Sequence, residues 1–181
     1  MMTTLMQTDF PERADPWRLA INGRRLLGEI PLRRMPRLSS LLSRADGSVR
    51  VCLQAGVDEC KVHFFAGRLD TTLELVCQRC TNPLRLPLAV EFRLGLVHNE
   101  VQSAELPEEY EPLLVPPGGL AMSDWVEDEL ILALPLIPVH AARDECEALD
   151  SALLGKPEAK LECGLNPFAA LAKLLNKRDE D

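Results

Sequence analysis

The chain has 181 residues and a net charge of −8, with 27% charged and 4% aromatic residues, which is enough to bury a real core and short enough for one domain. Its longest apolar run, residues 130–139, is interrupted by Pro135 and Pro138 and falls far short of the roughly 20 residues that span a bilayer. The first ten residues lack the basic and apolar regions of a secretory signal, so a cytoplasmic protein without membrane attachment is expected.

The charge is unevenly distributed. Residues 1–50 hold nine arginines and five acids, net +4; residues 51–100 sum to −1; residues 101–181 sum to −11. A basic first third suits phosphate, whereas an acidic second half would be repelled by it and suits a basic protein.

Residues 1–16, with Pro11 and Pro16, read as a flexible lead-in to a single α+β domain over 17–143. Trp17, Leu19 and Ile21 alternate up to Asn22-Gly23, a hairpin-turn dipeptide, and Leu26, Leu27 and Ile30 resume beyond it, which predicts a first hairpin. Between Pro31 and Gly47, Leu32, Met35, Leu38, Leu41 and Leu42 recur at helical spacing and predict a short amphipathic helix. Arg33, Arg34, Arg37 and Arg44 lie mostly off that stripe, either as an RNA-contacting face or as an ordinary solvated one.

Strands are expected over 48–57, over 61–77 with a break at Gly67, and over 84–96. In the last of these Leu84, Leu86, Leu88, Val90, Phe92, Leu94 and Leu96 alternate without a miss. Such patterning marks an antiparallel sheet with one buried face. In the run 49–53, Cys52 reads as a core position. His63 and His98 read as surface or structural residues. A polar loop follows, then a short edge strand over 110–115, which Pro116-Pro117-Gly118-Gly119 terminates. Asp124 as N-cap with Glu127 three residues on suggests a capping box and a helix to about Leu134. Glu127, Asp128 and Glu129 are then accounted for by the helix dipole rather than by catalysis. Residues 144–165 read as linker. Asn166 and Pro167 open a C-terminal helix over 166–176, with Phe168, Leu171 and Leu175 on one stripe.

Cys77-Gln78-Arg79-Cys80 is the most informative stretch. Two thiols at that spacing either grip a tetrahedral ion or form a dithiol couple. A redox pair normally opens a helix, whose terminus activates the attacking thiol, but this one follows a strand and enters the turn Thr81-Asn82-Pro83. The zinc-knuckle reading needs two further ligands, and His140 and Cys146 are the best candidates downstream; the plain alternative is a set of reduced cysteines without an ion. There is no Gly-rich phosphate loop, no Ser/His/Asp arrangement and no HExxH, hence no basis for catalytic residues.

Several pieces together resemble the YceD family: residues 76–80, residues 106–112, residues 126–135 with Pro138-Val139-His140, Cys146, and Asn166-Pro167-Phe168. The resemblance implies a non-enzymatic cytoplasmic role in synthesis, processing or stability of large-subunit ribosomal RNA. The partners it implies are that RNA or its precursor, ribosomal proteins, or both. Some relatives carry extra cysteines in a zinc-ribbon-like pattern; here Cys77, Cys80, His140 and Cys146 could close one site, with Cys163 farther on. The competing readings are a zinc-stabilised protein adaptor without RNA contact and a dithiol oxidoreductase using Cys77 and Cys80.

Overall fold

A computed structural model describes residues 10–142 together with 145 and 146; the linker beyond Cys146 and the expected C-terminal helix lie outside them. In chain order the elements are β1 (Arg13–Ala14), α1 (Pro16–Ile21), β2 (Arg25–Pro31), α2 (Pro36–Ser39), β3 (Ser48–Val57), β4 (His63–Val76), β5 (Pro83–Val97), α3 (Glu100–Ser103), β6 (Glu111–Leu114), β7 (Leu120–Ala121) and α4 (Met122–Leu132). A five-stranded sheet has the order β2-β3-β4-β5-β6, and β1 pairs with β7 in a small second sheet. The expected α+β class with a mainly antiparallel sheet is borne out.

Alternation along the strands decides which face is buried. Val49, Val51, Leu53, Phe65, Leu69, Leu73, Phe92 and Leu94 point inward and form one core with Ala20 of α1, Leu38 of α2 and Trp125, Val126 and Leu130 of α4. The opposite face carries exposed Arg50, Gln54, Arg68, Arg85 and Arg93. One wet face and one dry face are what antiparallel pairing permits. Cys52 is exposed on the wet face, contrary to its expected core position, because Val51 and Leu53 on either side point inward. The β5–β6 pair is parallel, with Leu94 opposite Glu111 and Val97 opposite Leu114, so the expected edge strand is present with the opposite sense to its neighbours.

Residues 16–21 form a helix rather than the first strand of a hairpin. Asp15 Oδ1 accepts from the N–H groups of Trp17 (3.1 Å) and Arg18 (3.2 Å), and Pro16 occupies the first helical turn. This start signal overrides the three-residue alternation. Asn22-Gly23 ends the helix instead of turning a hairpin: Gly23 has φ +57°, its N–H bonds Ala20 O at 3.0 Å, and Arg24 N–H bonds Leu19 O at 3.1 Å. That pair of bonds is the Schellman closure, which needs a left-handed residue. Trp17 then stacks on His98 with ring centres 4.2 Å apart and meets His63 edge-on at 5.2 Å, which gives both histidines structural places.

The helix expected between Pro31 and Gly47 is shorter, a 3-10 turn over Leu32–Arg34 and then α2. Pro36 cannot donate to a preceding turn and restarts the helix. Its stripe is nonetheless buried at Leu32, Met35 and Leu38. β4 runs unbroken through Gly67, paired on both sides.

α4 starts two residues before the expected N-cap. Asp124 lies in its first turn and caps nothing; Met122 N–H instead donates to Glu12 O at 2.9 Å, beside the β1–β7 pair. Without a capping box Glu127 faces inward and is 2% exposed, the one buried charged residue among the described residues. Its Oε1 accepts from Leu38 N–H at 2.9 Å and its Oε2 pairs with Arg37 at 2.9 Å, while Arg37 also reaches Asp128 at 2.6 Å. One carboxylate thereby fastens α2 to α4. Glu127→Ala leaves both a buried N–H and Arg37 without this partner, and we expect it to cost about 3 kcal/mol in urea unfolding. Glu127→Gln, which retains an acceptor for Leu38, is expected to cost roughly half as much.

β4 and β5 continue past the end of β3, whose pairing with β4 stops at Arg50 opposite Asp70. Their register runs on to Val76 opposite Pro83. This two-stranded extension carries residues 77–82 at its tip.

Candidate metal centre

The tip is a tight turn. Cys77 N–H donates to Asn82 O and Thr81 N–H to Cys77 O, both at 2.9 Å, and Thr81 takes the left-handed φ of +60° that reverses the chain. Cys77 and Cys80 face inward from it, 0% and 5% exposed. The segment leaving α4 reaches the same place because Gln78 N–H donates to Pro138 O at 2.8 Å. His140 and Cys146 follow from there. The four side chains sequence spacing nominated are thus brought together, across 60 residues between Cys80 and His140.

The ligand atoms of Cys77, Cys80, His140 and Cys146 all lie within 4.8 Å of one another. Cys77 Sγ is 3.9 Å from Cys146 Sγ, and His140 Nδ1 is 3.5 Å from Cys80 Sγ and 3.4 Å from Cys146 Sγ. Around one tetrahedral zinc, with bonds of about 2.3 Å to sulfur and about 2.0 Å to nitrogen, two sulfurs stand about 3.8 Å apart and a sulfur and a nitrogen about 3.5 Å apart. These three spacings match a single ion. They are too long for a disulfide, whose sulfurs lie about 2.0 Å apart.

The imidazole is oriented for this use. His140 Nε2 is 3.2 Å from Pro83 O, so the tautomer that satisfies the carbonyl carries its proton on Nε2 and leaves the Nδ1 lone pair facing the three sulfurs. A ligating histidine normally donates its other ring N–H to such an acceptor. The thiols form a small buried cluster with Leu84, separate from the main core.

Electrostatics in the cluster favour a thiolate at Cys77. Burial pushes Cys77 up, but the backbone N–H groups of Cys80, Arg79 and His140 outweigh it and bring the thiol down to about 5. Burial raises Cys80, with the neighbouring Cys146 and Cys77 sulfurs adding to the shift. His140 is raised chiefly by its bond to Cys146. A lowered Cys77 thiol beside a raised Cys80 thiol is an arrangement a dication would bind, since ligation displaces a thiol proton.

Sequence reasoning passed over Arg79, between the two knuckle cysteines. Its Nε and Nη2 lie 3.1 and 2.9 Å from Cys146 Sγ, and Nη2 also reaches Ala142 O at 3.2 Å and His140 O at 3.4 Å. The available signal was a cation held one residue from a thiolate ligand.

The four arginines nominated for RNA contact are spread around the α2 region rather than gathered at this centre. Arg33 is exposed, Arg34 pairs with Glu12 at 3.0 Å, Arg37 is held by Glu127 and Asp128, and Arg44 pairs with Asp46 at 2.7 Å.

Residues 65–175, which include all four clustered side chains, match the family model described as large ribosomal RNA subunit accumulation protein YceD. The chain belongs to the YceD family. A Haemophilus influenzae protein named large ribosomal RNA subunit accumulation protein YceD is 33% identical over 175 residues, covering 96% of this chain and 100% of that relative. The similarity to this YceD relative therefore extends beyond the metal-centre region to β1–β3. No solved structure matches the chain.

Proposed function

We propose that this protein supports accumulation of large-subunit ribosomal RNA in the cytoplasm as a non-enzymatic binding factor whose knuckle is stabilised by zinc. The observation that carries the reading is the match over the full length of a relative named for that role. Cys77, Cys80, His140 and Cys146 hold the ion, and a closed set of four protein ligands leaves no position open for substrate, as in structural zinc sites. The same convergence favours metal over a dithiol couple. Cys77 is fully buried, whereas a reactive cysteine needs access.

RNA contact falls to Arg33, Arg34 and Arg44. The ion pairs of Arg34 and Arg44 are solvent-exposed and therefore weak, so a phosphate displaces the carboxylate at little cost. Arg37 is different, because withdrawing it strands buried Glu127. The acidic second half suits a basic ribosomal protein at the same time.

The test is deletion of the gene, with measurement of large-subunit RNA and subunit profiles, and complementation by Arg33→Glu/Arg34→Glu/Arg44→Glu. We expect a fall in large-subunit RNA that wild-type protein restores and the triple variant does not. Unchanged RNA in the deletion strain overturns the reading. Full rescue by the triple variant leaves the adaptor without RNA contact.

A further inference from the structure

We infer that Arg79 is the counter-cation of the metal centre, a positioning residue that both neutralises the ligand set and holds the second pair of ligands over the first. The inference rests on the metal reading above and adds a role for a side chain that is not itself a ligand. A dication bound by three thiolates and a neutral imidazole carries a net charge of −1. Arg79 supplies the compensating +1 within hydrogen-bond distance of one of the sulfurs.

Its placement is specific. Two nitrogens of one guanidinium meet the same sulfur, at 3.1 and 2.9 Å, which is the forked geometry arginine offers and lysine cannot. The Nη2 group also touches the carbonyls of His140 and Ala142 at 3.4 and 3.2 Å. Cys146 lies 67 residues from Arg79 in sequence, so this side chain is a principal tie between the knuckle and the segment that completes the site. Its neighbour Gln78 is exposed, and its side chain bonds Val76 O at 3.4 Å and no other partner among the described residues. Both residues are exposed, but the Arg79 guanidinium turns back onto Cys146 while the Gln78 amide turns to Val76 O.

The physical effect has two parts. N–H donation to a bound thiolate withdraws electron density from the sulfur, and the positive charge lowers the free energy of the anionic metal-thiolate unit. The carbonyl bonds reduce the freedom of residues 140–142 when the ion is absent, so less order remains to be imposed on binding. Both strengthen metal affinity, but only the first changes the electronic spectrum of the bound metal.

The experiment uses the purified full chain, wild type and the variants Arg79→Gln, Arg79→Lys and Gln78→Ala. Zinc affinity is read by competition with a chromogenic chelator, and the thiolate-to-metal charge-transfer band is read after cobalt loading. Wild type is expected to take one zinc per chain. Arg79→Gln is expected to bind it ten- to a hundredfold more weakly, the range for loss of a group supporting a metal ligand, and to move the cobalt band to lower energy. Arg79→Lys recovers part of the affinity, and Gln78→Ala matches wild type. Circular dichroism checks that the sheet is intact. Should Arg79→Gln fail to fold, weaker binding by Arg79→Lys than by wild type carries the test. Equal affinity of wild type and Arg79→Gln, or of wild type and Arg79→Lys where only the latter folds, overturns the role of Arg79 and leaves the metal centre standing. Wild type that takes up no zinc overturns both.

Discussion

Stripping zinc from the purified protein with a strong chelator is expected to lower its melting temperature by about 10 °C while most of its β-sheet signal survives at room temperature. A zinc ion held by the folded knuckle, as proposed above, would stabilise the protein by mass action because the unfolded chain does not assemble the four ligands. At a free concentration a thousand times its dissociation constant the gain is about 4 kcal/mol, and for a chain of this size each kcal/mol shifts the midpoint by about 2 to 4 °C. Survival of the sheet follows from the separation of the thiol cluster from the main core. The loss belongs to residues 77–82, 138–142, 145 and 146, whose amides are expected to lose hydrogen-exchange protection first. Cys80→Ser should reproduce the shift without chelator. A melting temperature unmoved by chelation, in protein shown to contain zinc beforehand, would refute the stabilising role.

The second large effect is at Gly67→Ala, which we expect to cost roughly 4 kcal/mol or to prevent folding. An ideal Cβ at this position would lie 1.9 Å from Cys52 O of the neighbouring strand and 3.0 Å from the Phe92 ring. The carbonyl belongs to β3 and cannot rotate away as a side chain would. Relief requires β3 and β4 to separate where β4 is paired on both sides, which loses ladder bonds in the middle of the sheet. Urea denaturation measures the effect, with Gly23→Ala as a comparison: that site has no neighbour within 4 Å of the added Cβ and bears only the strain of its φ of +57°. A Gly67→Ala midpoint close to wild type would show that the strands yield more easily than this packing allows.

Gly67 also shows how sequence and structure divide the information. In the sequence it reads as a break in a strand, since glycine weakens strands. In the fold it is the residue that lets two strands approach, and the approach is set by Cys52 on another strand, which no local pattern can report. Glu127 is a similar case. Its distance from Asp124 matches a capping box, yet Glu12 already serves the helix start and Leu38 offers an unpaired N–H, so the carboxylate turns inward. The helix over 16–21 is the opposite case: Asp15 and Pro16 state it locally, and that cap and proline outweigh three alternating apolar residues.

What the amino-acid order determined alone was the periodicity: β3, the extended β4 and β5, the buried stripe around Leu38, and four ligand-type side chains placed in two sequence-distant pairs. Those features follow from side-chain alternation and from the chemistry of thiols and imidazole, both local properties. Only the tertiary structure decided that the pairs meet, that β6 runs parallel, that Arg37 is held by a buried carboxylate and that Arg79 lies against Cys146. Each depends on which distant backbone or side chain arrives alongside, and burial then fixes the partner because an unpaired polar group away from water costs more than the bond that satisfies it.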